Sequence, residues 1–453
     1  MTEAPATAQP PLKPGHLKPG ELKHGVALID LVMLGAGTAI GAAIFSVLGP
    51  AAKVGGSGIL IACLLAAIPM IIFGLVYAFM ASAAPRTAAS YEWQRQFTHP
   101  LIAFAVVWMR VLSNAVVMIV LGRTMINYLG MVVPLPETLT VLGFFFVIFV
   151  INFLGVAIAA RVQTVLMLGL IAIFAVFVIS GAPQARPEVF VEAFGNGWLP
   201  ILAAIPLMIQ LFLGIETATE VGEEVRNSST TVPLGLALGL ALTLIVYLSI
   251  TFTALSLVGP EQLANSKAPL LDAAKVTLGE RATPVIVIAA VLALTKSMNA
   301  IFLVFSRFLY AMGKSGVLPA PLASIHPKFG TPHIATIVAF IASALALLLP
   351  SSLLFLLLAV NVPTMMKYFG TCLAAFSIAQ NHPDVHAQAR LRFSKTLVKV
   401  LAVLGGIAAI IIAGLGFGTD WRPYALLAGW LAIGLGYYFA TGRQRTRVVA
   451  RQA

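Results

Sequence analysis

Charge is scarce in this sequence. Lysine, arginine, aspartate and glutamate make up 10% of its 453 residues, against roughly 25% in a soluble domain. A chain of this length cannot cover a water-facing surface with so few. Cysteine is nearly absent. Cys63 and Cys372 both fall inside apolar runs, which points to buried packing and gives no support to a disulfide framework. The histidines lie mainly in the tails and connecting segments without the Cys/His spacing of a metal site, and no G-x-x-x-x-G-K-S/T phosphate loop occurs. No cofactor, no metal and no catalytic constellation is therefore expected: the chain does not read as an enzyme or as an ATP-driven machine. Strand-like alternation is missing too, which excludes a β-barrel.

What is present is apolar. Hydrophobic residues make up 60% of the chain, in blocks of about 17–26 residues, the length that crosses a hydrocarbon core of ~30 Å. These blocks lie near 25–48, 57–82, 100–122, 138–157, 163–181, 198–219, 233–258, 283–306, 334–350, 353–378, 397–417 and 424–441. The expected fold is thus an all-α membrane protein of about twelve transmembrane helices.

The net charge of +12 follows topology rather than a nucleic-acid partner. If the chain starts in the cytoplasm, the inside segments hold most of the basic residues, among them Lys13, Lys18, Lys23, Arg226, Lys314, Arg390, Arg443 and Arg445. The opposite side holds few, such as Lys53, Arg186 and Arg281. By the positive-inside rule both termini are cytoplasmic. Residues 1–24, rich in Pro and Lys, read as a disordered cytoplasmic tail, neither signal peptide nor span. Residues 442–453 read as a basic cytoplasmic tail. Trp198, Trp421 and Tyr91 stand at predicted span ends, where an interfacial aromatic belt belongs.

Two spans carry breaks. The first contains Gly35, Gly37 and Gly41. The sixth reads Leu211-Phe212-Leu213-Gly214-Ile215-Glu216, a glycine and a carboxylate inside the membrane. They open two possible five-helix halves, 25–181 and 198–380, leaving 396–441 for two peripheral helices. Interrupted helices at corresponding positions point to an inverted-repeat transporter with its site at the midplane. Unwound backbone in hydrocarbon must face a cavity or a ligand. A half-helix beginning near Gly41 offers N–H groups to a carboxylate, and freed carbonyls at span 6 can accept from an ammonium. Glycines at such spacing also permit close helix packing, so spacing alone leaves both readings open.

Three stretches resemble the amino acid–polyamine–organocation superfamily of transporters. Gly35 to Phe45 is similar to that group's glycine-rich IG-small-small-IF signature. Phe212-Leu213-Gly214-Ile215-Glu216 through Glu223-Glu224-Val225-Arg226-Asn227 to Pro233 resembles its F-x-G-x-E…EEVRNP…P pattern. The third stretch runs from Ser306-Arg307-Phe308 to Gly313-Lys314, then to His326-Pro327-Lys328-Phe329-Gly330-Thr331-Pro332. The resemblance implies two inverted five-helix repeats with helices 1 and 6 broken. It also implies a substrate whose α-carboxylate meets amides after Gly41 and whose amine meets span 6 carbonyls, with Phe212 as a lid. Those roles carry onto Ile40, Gly41, Ala42, Ala43, Phe212, Gly214 and Ile215. Three departures stand out: Ala42-Ala43 where the family often has Ser-Gly, Ala88-Ala89 where Gly-Gly is common, and Leu170 near the place where many members keep a span 5 lysine.

Five charged residues lie within spans: Arg110, Glu216, Glu220, Lys296 and Lys367. A charge at the bilayer centre costs at least ~2.5–3.5 kcal/mol on insertion scales, so each is expected to face a cavity or a partner. Glu216, beside the span 6 break, can read an amine or a proton, or cap the freed amides. Glu220, Glu223 and Glu224 read as interface and gate residues. In the resembling fold, Lys296 with its neighbours Thr295 and Ser297 faces the span 1 break, where sodium-coupled relatives hold an ion. There a lysine ammonium substitutes for the cation and can leave on deprotonation; a static pair with Glu216 is the other reading. Arg110 and Lys367 have no partner evident from sequence and read as structural. The expected function is a secondary amino acid permease of the cytoplasmic membrane, proton-coupled or exchanging. A polyamine or organic-cation carrier of the same fold is the alternative, ahead of a solute sensor or a channel. The expected partners are a small solute and the lipid bilayer.

Overall fold

The computed structural model describes residues 25–41, 43–195, 197–266, 268–349, 353–414 and 421–441. Both expected tails and Ala42 lie outside them. Regular structure among the described residues is helical, with two isolated bridges, Val26–Val225 and Thr87–Val221, in place of any strand.

The chain runs through α1 (Leu28–Ala39), α2 (Ala43–Gly55), α3 (Ile59–Ala83), α4 (Ala89–Phe97), α5 (Pro100–Leu129), α6 (Glu137–Leu154), α7 (Val156–Gly181) and α8 (Trp198–Ile209). It continues through α9 (Ser228–Asn265), α10 (Pro269–Leu278), α11 (Ala282–Lys314), α12 (His333–Leu345), α13 (Leu353–Asn381), α14 (Pro383–Gln388), α15 (Lys395–Gly414) and α16 (Arg422–Ala440). Ten helical stretches among the described residues are long and apolar enough to cross a membrane, which makes this a multi-pass membrane protein. His333–Leu348 is apolar but shorter, and α13, 29 residues long, follows it.

Local chemistry sets the boundaries. α5 opens with Pro100 at its first position, where no N–H is needed, while His99 Nδ1 accepts from Leu101 N at 3.1 Å. Gly155, at φ 140°, separates α6 from α7. α9 outruns its predicted end at 258 and bends at Gly259, where φ is 76°. Three short helices that hydropathy does not predict, α4, α10 and α14, connect the longer ones.

Burial separates a centre from a rim. The first span is 82% buried, whereas α6 and α16 are 22% and 17% buried and turn apolar side chains such as Leu139 and Ile433 outward. Such exposed apolar faces suit lipid. Trp198 and Trp421 are exposed as an interfacial belt requires. Tyr91 is not: it is buried, and its hydroxyl pairs with Ser315 Oγ at 2.7 Å. It lies on α4, a connecting helix folded inward over the bundle. Cys63 and Cys372 are buried and free.

Candidate functional site

The first break is a tight turn. α1 stops at Ala39, and Ile40 takes φ −73° and ψ 68° while Gly41 N donates to Ala39 O at 2.7 Å. That is an inverse γ-turn, which ends the helix without a cap residue. A helix end leaves its last carbonyls without intrahelical donors and carries partial negative charge. Three side chains answer this one. Lys296 Nζ, from the fully buried middle of α11, donates to Gly37 O at 2.5 Å and also to Ile40 O. Ser297 Oγ donates to Gly37 O at 3.4 Å. Tyr247 Oη, from α9, donates to Ala39 O at 2.6 Å. The ammonium thus sits on the carbonyl end of a half-helix, as a bound metal cation would.

The second break is sharper. After α8 the chain tightens through Gln210–Phe212, extends at Leu213 and turns at Gly214, whose φ of 102° disfavours any side chain. It continues as a 3-10 helix over Ile215–Glu220. Glu216 closes this turn on itself: its Oε2 accepts from Gly214 N at 3.1 Å. The same carboxylate takes Lys367 Nζ on Oε1 at 2.6 Å and Tyr368 Oη on Oε2 at 2.5 Å. Both partners are buried on α13.

The two breaks touch each other at their glycines. A Cβ on Gly214 would lie 2.5 Å from Thr38 Cγ2 and one on Gly35 would lie 2.9 Å from Ile215 O, while one on Gly41 would lie 2.5 Å from Ser297 Oγ of α11. Phe212 is buried edge-on against Tyr247, with ring centroids 5.8 Å apart, and so rests on the residue that caps the first break.

Of the residues singled out by sequence, Ile40, Gly41, Phe212, Gly214, Ile215, Glu216, Lys296 and Ser297 gather here, with Ala43 starting the next half-helix. Thr295 does not join them: its hydroxyl faces Met125 Sδ on α5, 3.9 Å away. Glu216 pairs with Lys367, not with Lys296. Leu170 is buried in apolar surroundings, and the α7 side chain that reaches the first break is Gln163, whose amide nitrogen lies against Gly37. Gln163 Oε1 in turn accepts from Asn299 Nδ2 at 3.2 Å, and Asn299 Oδ1 accepts from Asn152 Nδ2 at 2.9 Å. Gln163, Asn299, Tyr247 and Tyr368 were missed; their trace in the sequence is a polar or phenolic residue inside an otherwise apolar span.

Beyond the second break the chain is tied down. Glu220 accepts from Ser90 N at 3.2 Å and from Ser90 Oγ, and lies 3.8 Å from Lys367 Nζ. Its own carbonyl accepts from Ala88 N at 2.9 Å. Arg307 grips Glu224 with Nε at 3.1 Å and Nη2 at 3.2 Å, both side chains fully buried. Glu224 O also accepts from Gly25 N and Val26 N. Outside these ties lies a cleft of about 450 Å³, lined by residues that include Arg86, Glu92, Arg95, Glu223, Tyr310 and Lys314. Burial holds the Glu223 carboxyl above its ordinary range, against the opposing pull of Lys314 and Arg86.

Comparison with known proteins places this arrangement. Residues 27–433 match the family described as "Amino acid permease". An uncharacterised transporter of Mycobacterium tuberculosis is 30% identical over 318 residues, 69% of this chain and 71% of the relative. A methylthioribose transporter of Bacillus subtilis is 24% identical across 93% of this chain and 94% of its own length. A branched-chain amino acid permease of the same species is 24% identical across 92% and 93%. The chain belongs to the amino acid permease family, and is a multi-pass membrane transporter rather than an enzyme.

Proposed function

We propose that the protein is a secondary transporter of amino acids in the cytoplasmic membrane, working by alternating access around the two facing breaks. The single observation that carries this is the glycine-thin contact of Gly214 with Thr38 and of Gly35 with Ile215. Broken helices at membrane depth are tolerated where they line a solute site. The α-carboxylate of the solute is assigned to Gly41, Ala42 and the half-helix that begins at Ala43, and its ammonium to the backbone around Phe212, Gly214 and Ile215. Twelve spans, two inverted five-helix repeats and cytoplasmic termini belong to the same reading. The break positions support the repeats, and the basic residues of the connecting segments support the orientation.

Lys296 is the proposed coupling residue, with Ser297 beside it. Its ammonium joins α11 to the carbonyls of Gly37 and Ile40, so losing the proton would loosen α1 from α11. A coupling cation such as sodium is then unnecessary. Against the organic-cation alternative stands the Glu216–Lys367 pair: the carboxylate that would hold a polyamine already holds a lysine. The buried Glu224–Arg307 clasp is assigned to the closed cytoplasmic gate. The test is uptake of labelled amino acids and amines into proteoliposomes. Accumulation of amines without amino acids would overturn the reading.

A further inference from the structure

We propose that Arg110 and Asn114 on α5, with Thr364 on α13, form a subsite for a carboxylate on the solute's side chain, so that the preferred solute is a dicarboxylic amino acid. This rests on the amino acid reading above and extends it to the substrate class.

Arg110 is a buried cation that no carboxylate pairs with among the described residues. Its Nη1 donates to Thr364 Oγ1 at 2.7 Å and to Ser113 Oγ at 3.2 Å, and its Nη2 donates to Asn114 Oδ1 at 2.8 Å. Its Nε–H has no acceptor. A guanidinium only donates, so Asn114 must turn its oxygen toward Arg110 and its amide nitrogen away. That nitrogen is buried without an acceptor as well. Two unmet donors, four residues apart, therefore lie on one face of α5. Buried donors are seldom left unmade, and an unmet one that persists calls for an explanation.

Net charge does not decide what the missing acceptor is, because Glu216 and Glu220 balance Lys367 and Arg110. Hydrogen bonding does. The carboxylates of this layer are taken: Glu216 by Lys367, Tyr368 and Gly214 N, and Glu220 by Ser90. What remains open at Arg110 and Asn114 themselves is a pair of donors, which suits the two oxygens of a carboxylate and repels an amine. The position also fits. Thr364 precedes Lys367 by three residues, roughly 4.5 Å along α13, and Lys367 holds Glu216 at the second break. The proposal places the solute's ammonium at the Gly214 break and its side chain toward Arg110.

The experiment is equilibrium binding to the purified full-length protein in detergent, with L-glutamate, L-glutamine and L-leucine, each in sodium chloride and in sodium gluconate. L-glutamate is expected to bind at least tenfold tighter than its neutral isostere L-glutamine. Arg110→Gln should weaken L-glutamate by at least tenfold, the scale of one lost charge-assisted hydrogen bond, while Arg110→Lys keeps part of the affinity. If Arg110→Gln does not fold, the glutamate–glutamine comparison on the parent decides alone. Tight binding of neutral amino acids with no preference for L-glutamate overturns the subsite and leaves the amino acid reading standing. Neutral binding that needs chloride and vanishes in gluconate also overturns it, since the anion at Arg110 is then an ion and not part of the solute. Binding of no amino acid at all removes the amino acid reading, and this inference with it.

Discussion

Replacing Glu216 with glutamine keeps the shape of the side chain and removes its charge. The carboxylate is the meeting point of three donors: Lys367 Nζ at 2.6 Å, Tyr368 Oη at 2.5 Å and Gly214 N at 3.1 Å. Glutamine retains one acceptor oxygen and turns an amide toward one of these donors. Lys367 is left in a buried site with Glu220 at 3.8 Å as its remaining carboxylate. Breaking a buried ion pair from one side costs about 3–5 kcal/mol, and the presence of Glu220 places Glu216→Gln near the lower end. Lys367→Met alone leaves the carboxylate charged with a phenol and an amide for partners, a loss of similar size. The double variant removes both charges, and is expected to recover most of the loss because neutral replacement of a buried pair is close to neutral. Thermal melting of the four proteins in one detergent reads the cycle directly. The predicted coupling is about 2–5 kcal/mol in favour of the pair. Additive losses, with the double variant as unstable as the sum of the singles, would show that the two groups do not hold each other.

Two further substitutions address the backbone. Gly214→Val places a side chain at φ 102° and against Thr38 Cγ2; it is expected to abolish solute binding while the protein still inserts and elutes as a single species, and unchanged binding would move the site elsewhere. Ala88 sits at φ 51°, where a Cβ costs roughly 1–2 kcal/mol. Ala88→Gly is therefore expected to raise the melting temperature, and an unchanged or lower value would mean that the left-handed turn is not strained.

Much of the candidate site was legible because it depends on local sequence. Gly35, Gly37 and Gly41 mark a helix that cannot run through, and Gly214 beside Glu216 marks a second. Lys296 stood out because a lysine in mid-span must have a partner, and its partners are the carbonyls of the first break. Partnership across the fold was less visible. Lys367 lies 151 residues from Glu216, and no periodicity along either helix predicts that they meet. Thr295 and Ser297 flank Lys296 alike in sequence, but successive helical residues point about 100° apart, so only one faces the break. Tyr91 was misplaced for a related reason: α4 is amphipathic and folds back, so its aromatic residue is covered by the bundle instead of standing at the lipid interface.

We propose that the facing breaks carry an amino acid while Lys296 occupies the place of a coupling cation. The most direct measurement is amino acid uptake into proteoliposomes with and without an inward proton gradient, in sodium-free and sodium-containing buffer, for the parent and for Lys296→Met. Uptake by the parent is expected to respond to the proton gradient and to be indifferent to sodium. Lys296→Met is expected to lose that response while exchange of internal for external solute persists. Sodium-dependent uptake by the parent, or an intact proton response in Lys296→Met, would contradict it.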